Sequence, residues 1–453
     1  MQPNASLQRD KCFRNEYETI SLSIFPSWGC FEASNPQKKV FGMRGLIVSD
    51  DIGLVKVVNL QSKSTNYVSN ASGPDMNVVS MCSPGNIPTR IAVARNSGVV
   101  DVYESTTESA GWKQVRSYEL DESPIRMLPV DGSLLVGSET SFKSLALDYD
   151  KKQECSLPSG PYSFLDLMPT AEGIAANPKF MLAAHGNACP VIIDLGKMSI
   201  VWTGRNASDT PIGLSSTFTT NCLLGLTDKI FVAGDLSGKL RFYDISMQRK
   251  PVLEMPVFEI FTLTNNYTGT SGMGQTRPIQ KLTLSPDKST LFFGDTFGSV
   301  VGLNVSKIVS ENGLPSPEAK IGTLRHKEAC KKLIPMVCGF KGVMGSVRDI
   351  AVTDEYVYVV SAGRYAYAFE RKSKGKKFDK MFLNQKLTAC LPYTIEINSG
   401  DDEPQPVTDE ISDDEEIDAG ADETLELLEE KEDARPVSKS KRRRMRKGAS
   451  KNN

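Results

Sequence analysis

The segment Ile230–Ser246, IFVAGDLSGKLRFYDIS, joins an apolar run, a polar loop ending at Gly238, a second alternating run and a terminal Tyr243-Asp244. That order spells a β-hairpin. The same phrase returns at LIVSDDIGLVKVVNL (46–60), IAVARNSGVVDVYES (91–105), SLLVGSETSFKSLAL (133–147), MLAAHGNACPVIIDL (181–195), LFFGDTFGSVVGLNV (291–305) and YVYVVSAGRYAYAFE (356–370). Gly53, Gly98, Gly238 and Gly298 close the loops of four copies. Gly fits there because such turns need a residue at positive φ. The loop of the last copy reads as shortened, and the wider spacing before the last two copies places loop insertions there. A repeat at this period points to a stacked or circular architecture.

A shorter phrase leads into many of the hairpins: SPIRML (123–128), TPIGLS (210–215), RPIQKL (277–282) and GSVRDI (345–350), with weaker forms NVVSMC (77–82) and YSFLDL (162–167). A variable strand follows them, as in KQVRSYEL (113–120) and PVLEMPV (251–257). Four antiparallel strands in each of seven units describe an all-β, seven-bladed β-propeller. The first unit lacks a leading strand, while KLTACLPY (386–393) resembles that phrase and has no hairpin after it. This segment is therefore expected to pair beside residues 43–50 and close the ring, leaving no open edge between first and last blades. Residues 41–395 form the expected propeller, residues 1–40 an extension of unassigned structure, and residues 396–453 a disordered tail.

At 453 residues the chain exceeds the roughly 250–300 over which one core grows. A ring escapes the limit because each unit adds its own layer. The net charge of −2 hides strong segregation: residues 401–433 hold 17 Asp/Glu against one Lys, residues 434–453 hold nine Lys/Arg and no acid, and residues 1–400 hold 43 basic against 38 acidic. The acidic strap 401–433 is too charged to bury a core, though ADETLELLEEKE (421–432) also suits a partner-docking helix presenting Leu425 and Leu428. In the basic run 435–451, Lys439, Lys441, Arg442, Arg443, Arg444, Arg446 and Lys447 match a nuclear or nucleolar import signal or an RNA-phosphate patch.

Other classes find little support. The chain has no run of about 18 apolar residues and no charged-then-apolar leader, which speaks against a membrane or secreted protein. Its nine Cys are scattered without a C-x-x-C pair, which favours a reduced interior compartment over a disulfide framework, and the five Asn-x-Ser/Thr patterns read as chance matches. His185 and Cys189 share a loop without zinc spacing, GTSGMGQTR (269–277) lacks the strand-then-helix context of a phosphate cradle, and no nucleophile elbow appears. Asp50, Asp51, Asp235 and Asp295 recur in the hairpin loops and read as turn-forming residues, not metal ligands. Catalytic, cofactor-binding and metal residues are thus read as none. Residues suited to a partner footprint are Arg348 and Asp349, where a strand begins on the loop-rich rim, Arg364 and Tyr365 in the hairpin of the same blade, and Arg249 and Lys250 on the opposite rim.

The words QRKPVLE (248–254), RPIQKLTLSPD (277–287), CGFKGVMGSVRDI (338–350) and FLNQKLTACL (382–391), in that order and followed by a basic tail, resemble a WD-repeat family of nucleolar assembly factors of the large ribosomal subunit. Members of that family leave the precursor particle through an AAA-type ATPase. The resemblance covers about residues 41–395. It implies a non-enzymatic propeller bound to pre-ribosomal proteins and pre-rRNA, with no cofactor, no small-molecule substrate and a nuclear or nucleolar location set by a basic tail. The chain departs from the family's Gly-Leu-Asp-Arg in the last hairpin, since Gly363 is followed directly by Arg364. The alternative is a WD-repeat adaptor in another nuclear complex, such as a chromatin or ubiquitin-ligase assembly.

Overall fold

The computed structural model describes residues 43–395 apart from 85–88, 107–110, 131–132, 148–151, 171–177, 186–187, 206–218, 262–276, 316–320, 322 and 374–377. The expected strap, the basic run and the extension 1–40 lie outside the described residues. Within them, seven four-stranded antiparallel sheets form a β-propeller. The seven innermost strands, blade 1 to blade 7, are Leu387–Ile395, Val78–Cys82, Pro124–Val130, Phe164–Leu167, Thr220–Gly225, Ile279–Leu284 and Val347–Val352.

Burial explains why the hairpins are legible. The second strand of a blade is packed on both faces by neighbouring blades, so it reads as a continuous apolar run, as in the fully buried Ile230–Asp235, Thr290–Asp295 and Tyr356–Ser361. The outermost strands meet solvent and alternate, as in Phe378–Phe382. The core is correspondingly divided into seven clusters, one at each blade–blade interface. Polar bolts reinforce some of these seams. Arg95, fully buried in blade 2, pairs with Asp101 at 3.0 Å and donates to the Gly53 carbonyl of blade 1 at 2.7 Å.

Three loop aspartates act as the sequence suggests. Asp50 Oδ1 accepts from the Leu54 N–H at 2.8 Å, Asp235 Oδ1 from Ser237 and Lys239, and Asp295 Oδ1 from Phe297 and Ser299. Asp51 does not join them, because its Oδ1 is buried without a hydrogen-bond partner. At Gly298, φ is +81°, and an added Cβ would lie 2.3 Å from the Val343 carbonyl oxygen, so the close approach requires glycine.

Two expectations need correction. The leading strand of blade 5 is Thr220–Gly225 and not TPIGLS, whose residues lie outside those described. The insertion between the third and fourth strands of blade 6 also holds two helices, Ser306–Glu311 and Leu324–Leu333. Thr323 caps the second by accepting the His326 N–H, and His326 and Cys330 bury its inner face.

The ring closes through its innermost layer. Leu387–Ile395 runs antiparallel to Met43–Asp50, from Met43↔Ile395 to Asp50↔Leu387. Its buried Leu387 and Cys390 belong to the core between blades 7 and 1, and Ser49 Oγ pairs with Thr388 Oγ1 at 2.9 Å. Deleting residues 386–393 is expected to abolish cooperative melting of the whole propeller, and Leu387→Ala to cost about 2–5 kcal/mol in chemical denaturation.

Candidate functional site at the channel mouth

Chain direction sorts the charged residues between two faces. Each innermost strand begins on the face that carries the loop between second and third strands, and the turn between third and fourth strands lies on the other. Arg348 starts the innermost strand of blade 7, and Arg364 closes the hairpin loop of that blade, so both belong to the loop-rich face. The Ala362 N–H donates to the Ser346 carbonyl at 2.8 Å, which fixes that loop beside the strand start. Arg249 and Lys250 lie between Lys239–Asp244 and Leu253–Pro256 on the opposite face, where the Arg249 carbonyl accepts the Arg205 N–H at 2.7 Å. The six residues therefore do not form one footprint.

The four on the loop-rich face play different parts. Arg348 is exposed and lines the central channel. Asp349 is engaged internally: it pairs with Lys281 of blade 6 at 2.8 Å and accepts the Cys390 N–H of the closing strand at 3.0 Å. It stitches three blades and leaves little charge for a partner. Tyr365 is half-buried, edge-on to the Phe382 ring at 5.2 Å between centroids, with Lys380 Nζ 5.6 Å from its own ring. Arg364 is exposed, with its N–H on the Ser361 carbonyl at 3.2 Å.

Arg364 also corrects the sequence reading of its loop. Gly238 donates to the Asp235 carbonyl three residues earlier, and Arg364 does the same to Ser361, so the loop is of ordinary length. Arg364 takes the glycine position, with φ of +69° against +79° for Gly238. A side chain in this left-handed region costs of order 1–3 kcal/mol, strain that gathers at functional sites. Arg364→Gly is expected to stabilise the protein by about 1 kcal/mol in urea melts, while Arg364→Ala keeps the strain and gives no such gain.

A repeated bulge shapes the channel. The register of the innermost strand shifts between Val78 and Ser80, Pro124 and Arg126, Thr220 and Cys222, Ile279 and Lys281, and Val347 and Asp349. A bulge sets two residues against one on the next strand and re-aims their side chains. Arg126, Lys281 and Arg348 consequently line the same space, two connected cavities of about 350 and 420 Å³ that share all three. Sequence reasoning singled out Arg348 alone. By strand register Arg126 and Lys281 both match Asp349, one place after Arg348, a correspondence that shows only once the bulge is known.

The channel acids are engaged in holding blades together. Asp166 of blade 4 is buried and accepts the Gly225 N–H of blade 5 at 3.2 Å. Burial raises its pKa above the ordinary carboxylate value, outweighing Arg126, the Gly225 and Leu167 N–H groups and Lys281, which act the other way. A carboxyl whose folded pKa is raised contributes its stability at low pH and loses it as pH rises through that raised value. Asp166→Asn keeps an oxygen for Gly225, so urea melts are expected to favour the variant over wild type more at pH 8 than at pH 4.

Among the described residues no group of three or more His, Cys, Asp or Glu is placed to hold a metal, and no helix is long and apolar enough to cross a membrane. The His185 ring centroid lies 5.1 Å from that of Tyr162, and burial raises the pKa of the Cys189 thiol. The tail residues Lys439, Lys441, Arg442, Arg443, Arg444, Arg446 and Lys447 fall outside the description.

The fold is a seven-bladed β-propeller. Among solved structures, the chain is similar to the β-propeller domain of Cps50 (Swd1) from Myceliophteria thermophila, with a TM-score of 0.50 and 14% identity over 69% of this chain and 89% of that one. No known family model and no curated protein matches the chain.

Proposed function

We propose that the chain is a non-enzymatic docking platform in assembly of the large ribosomal subunit. It occupies nucleolar precursor particles, beside other assembly factors and pre-rRNA, until an AAA-type ATPase removes it. The coarser part of this reading, a scaffold-like propeller, rests on the fold. The finer part rests on the resemblance carried by residues 248–254, 277–287, 338–350 and 382–391 and on the basic run 435–451. One observation supports it most: blade 7 presents Arg348 and Arg364 together on the loop-rich face, the second held at a strained φ where other blades spend a glycine. A rigid disc with fixed arginines suits contact with RNA phosphate or acidic protein surfaces, because Arg is favoured at interface centres and pairs with phosphate through a planar fork.

The charge-reversed variant Arg348→Glu/Arg364→Glu is expected to leave large-subunit precursors in sucrose gradients while melting at the wild-type temperature or above. Full co-sedimentation of that variant would refute the footprint. Sedimentation of the wild-type protein with chromatin or ubiquitin-ligase components, and not with precursor particles, would favour the adaptor reading.

A further inference from the structure

The channel holds a charge imbalance that docking on the face uses only in part, through Arg348. Of the four charged residues that line it, Asp349 and Lys281 neutralise each other at 2.8 Å, while the nearby Asp166, buried beneath the wall, accepts the Gly225 N–H at 3.2 Å. Arg126 and Arg348 remain, with neither an ion pair nor a side-chain hydrogen bond among the described residues. Arg126 Nε is buried without any hydrogen-bond partner. An orphaned guanidinium nitrogen in a confined space is costly, and an anion that accepts from it repays that cost.

We infer that the central channel is a binding site for a small polyanion whose clustered oxygens bridge Arg126 and Arg348. The shared space, about 350 and 420 Å³ in its two parts, is of the size small-molecule sites have. Two polar groups on its wall are held by the protein itself. Asn221 spends its side-chain amide on the Ile279 carbonyl at 2.7 Å, while Thr388 shares a hydroxyl pair with Ser49, so both sites are rigid and polar. The two guanidiniums start from blades 3 and 7, on either side of the channel, so one ligand touching both braces the ring across its opening. The chemistry required is two or more adjacent anionic oxygens, in either phosphate or carboxylate form. Arginine forks match both bidentately. The site needs no ribosomal partner to form, since the ligand sits within the propeller, although Arg348 also belongs to the proposed rim footprint.

The test uses the purified full chain at about 0.15 M salt, where weak surface attraction is screened. Thermal melting and calorimetry are followed with pyrophosphate, inositol hexakisphosphate and citrate as probes. The basic run 435–451 binds polyanions by charge alone, so stabilisation of the propeller is the decisive readout. Wild type is expected to melt higher with at least one probe. Arg126→Gln/Arg348→Gln is expected to weaken that probe by tenfold or more, and Arg249→Gln/Lys250→Gln to leave it unchanged. Stabilisation by the phosphates alone assigns a phosphate ligand, and by citrate alone a polycarboxylate. If the double variant melts without cooperativity, Arg348→Gln alone carries the same expectation on a smaller scale. No rise with any probe, or equal affinity in the arginine variants, overturns the site.

Discussion

Every blade interface depends on one pairing, that of Leu387–Ile395 with Met43–Asp50. An open stack of seven sheets would expose one apolar face at each end, and each face would carry the same kind of core that the other interfaces bury. Closure turns the two liabilities into a seventh interface, filled by Leu46, Val48, Val58, Tyr358, Val360 and Leu387. Closing through the innermost strand has a further consequence. Seven inner strands must meet around a narrow axis, and the strand that completes the circle supplies the Cys390 N–H that Asp349 accepts. Ring integrity and the electrostatics of the channel are therefore set by the same few residues.

The hairpins were readable because burial on both faces writes itself as an unbroken apolar run, and the loops because Asp and Gly solve the same turn repeatedly. Blade 5 shows the limit. Its leading strand, TNCLLG, carries no turn-forming Pro, whereas TPIGLS imitates RPIQKL closely enough to attract the assignment. The last hairpin misled for the opposite reason, since Arg364 replaces the marker glycine without changing the loop's geometry. Period-two reasoning places neighbouring residues on opposite sheet faces. It could not bring Arg126 and Lys281 into the channel with Arg348, because the bulges that do so leave no composition signal. Of the candidate residues, Arg348 and Arg364 share a face as read, Asp349 proves to be an internal stitch, and Arg249 and Lys250 lie across the disc.

The division of labour among charges follows from burial. A carboxylate that accepts backbone N–H groups from a second blade gains fixed donors at no cost in flexibility, which is how Asp166 and Asp349 serve. Guanidiniums have five donors and seldom satisfy all of them inside a strand-lined tube, so they are what remains exposed when the acids are engaged. The loop-rich face and the channel thus share a sign without being the same site. On the face, Arg364 is held out by a strained backbone; in the channel, Arg126 is held in by a bulge. A surface partner would read the first and a compact anion the second. Arg348, at the mouth, is the residue through which occupancy of one could alter the other, since a side chain drawn inward toward a ligand is withdrawn from the rim.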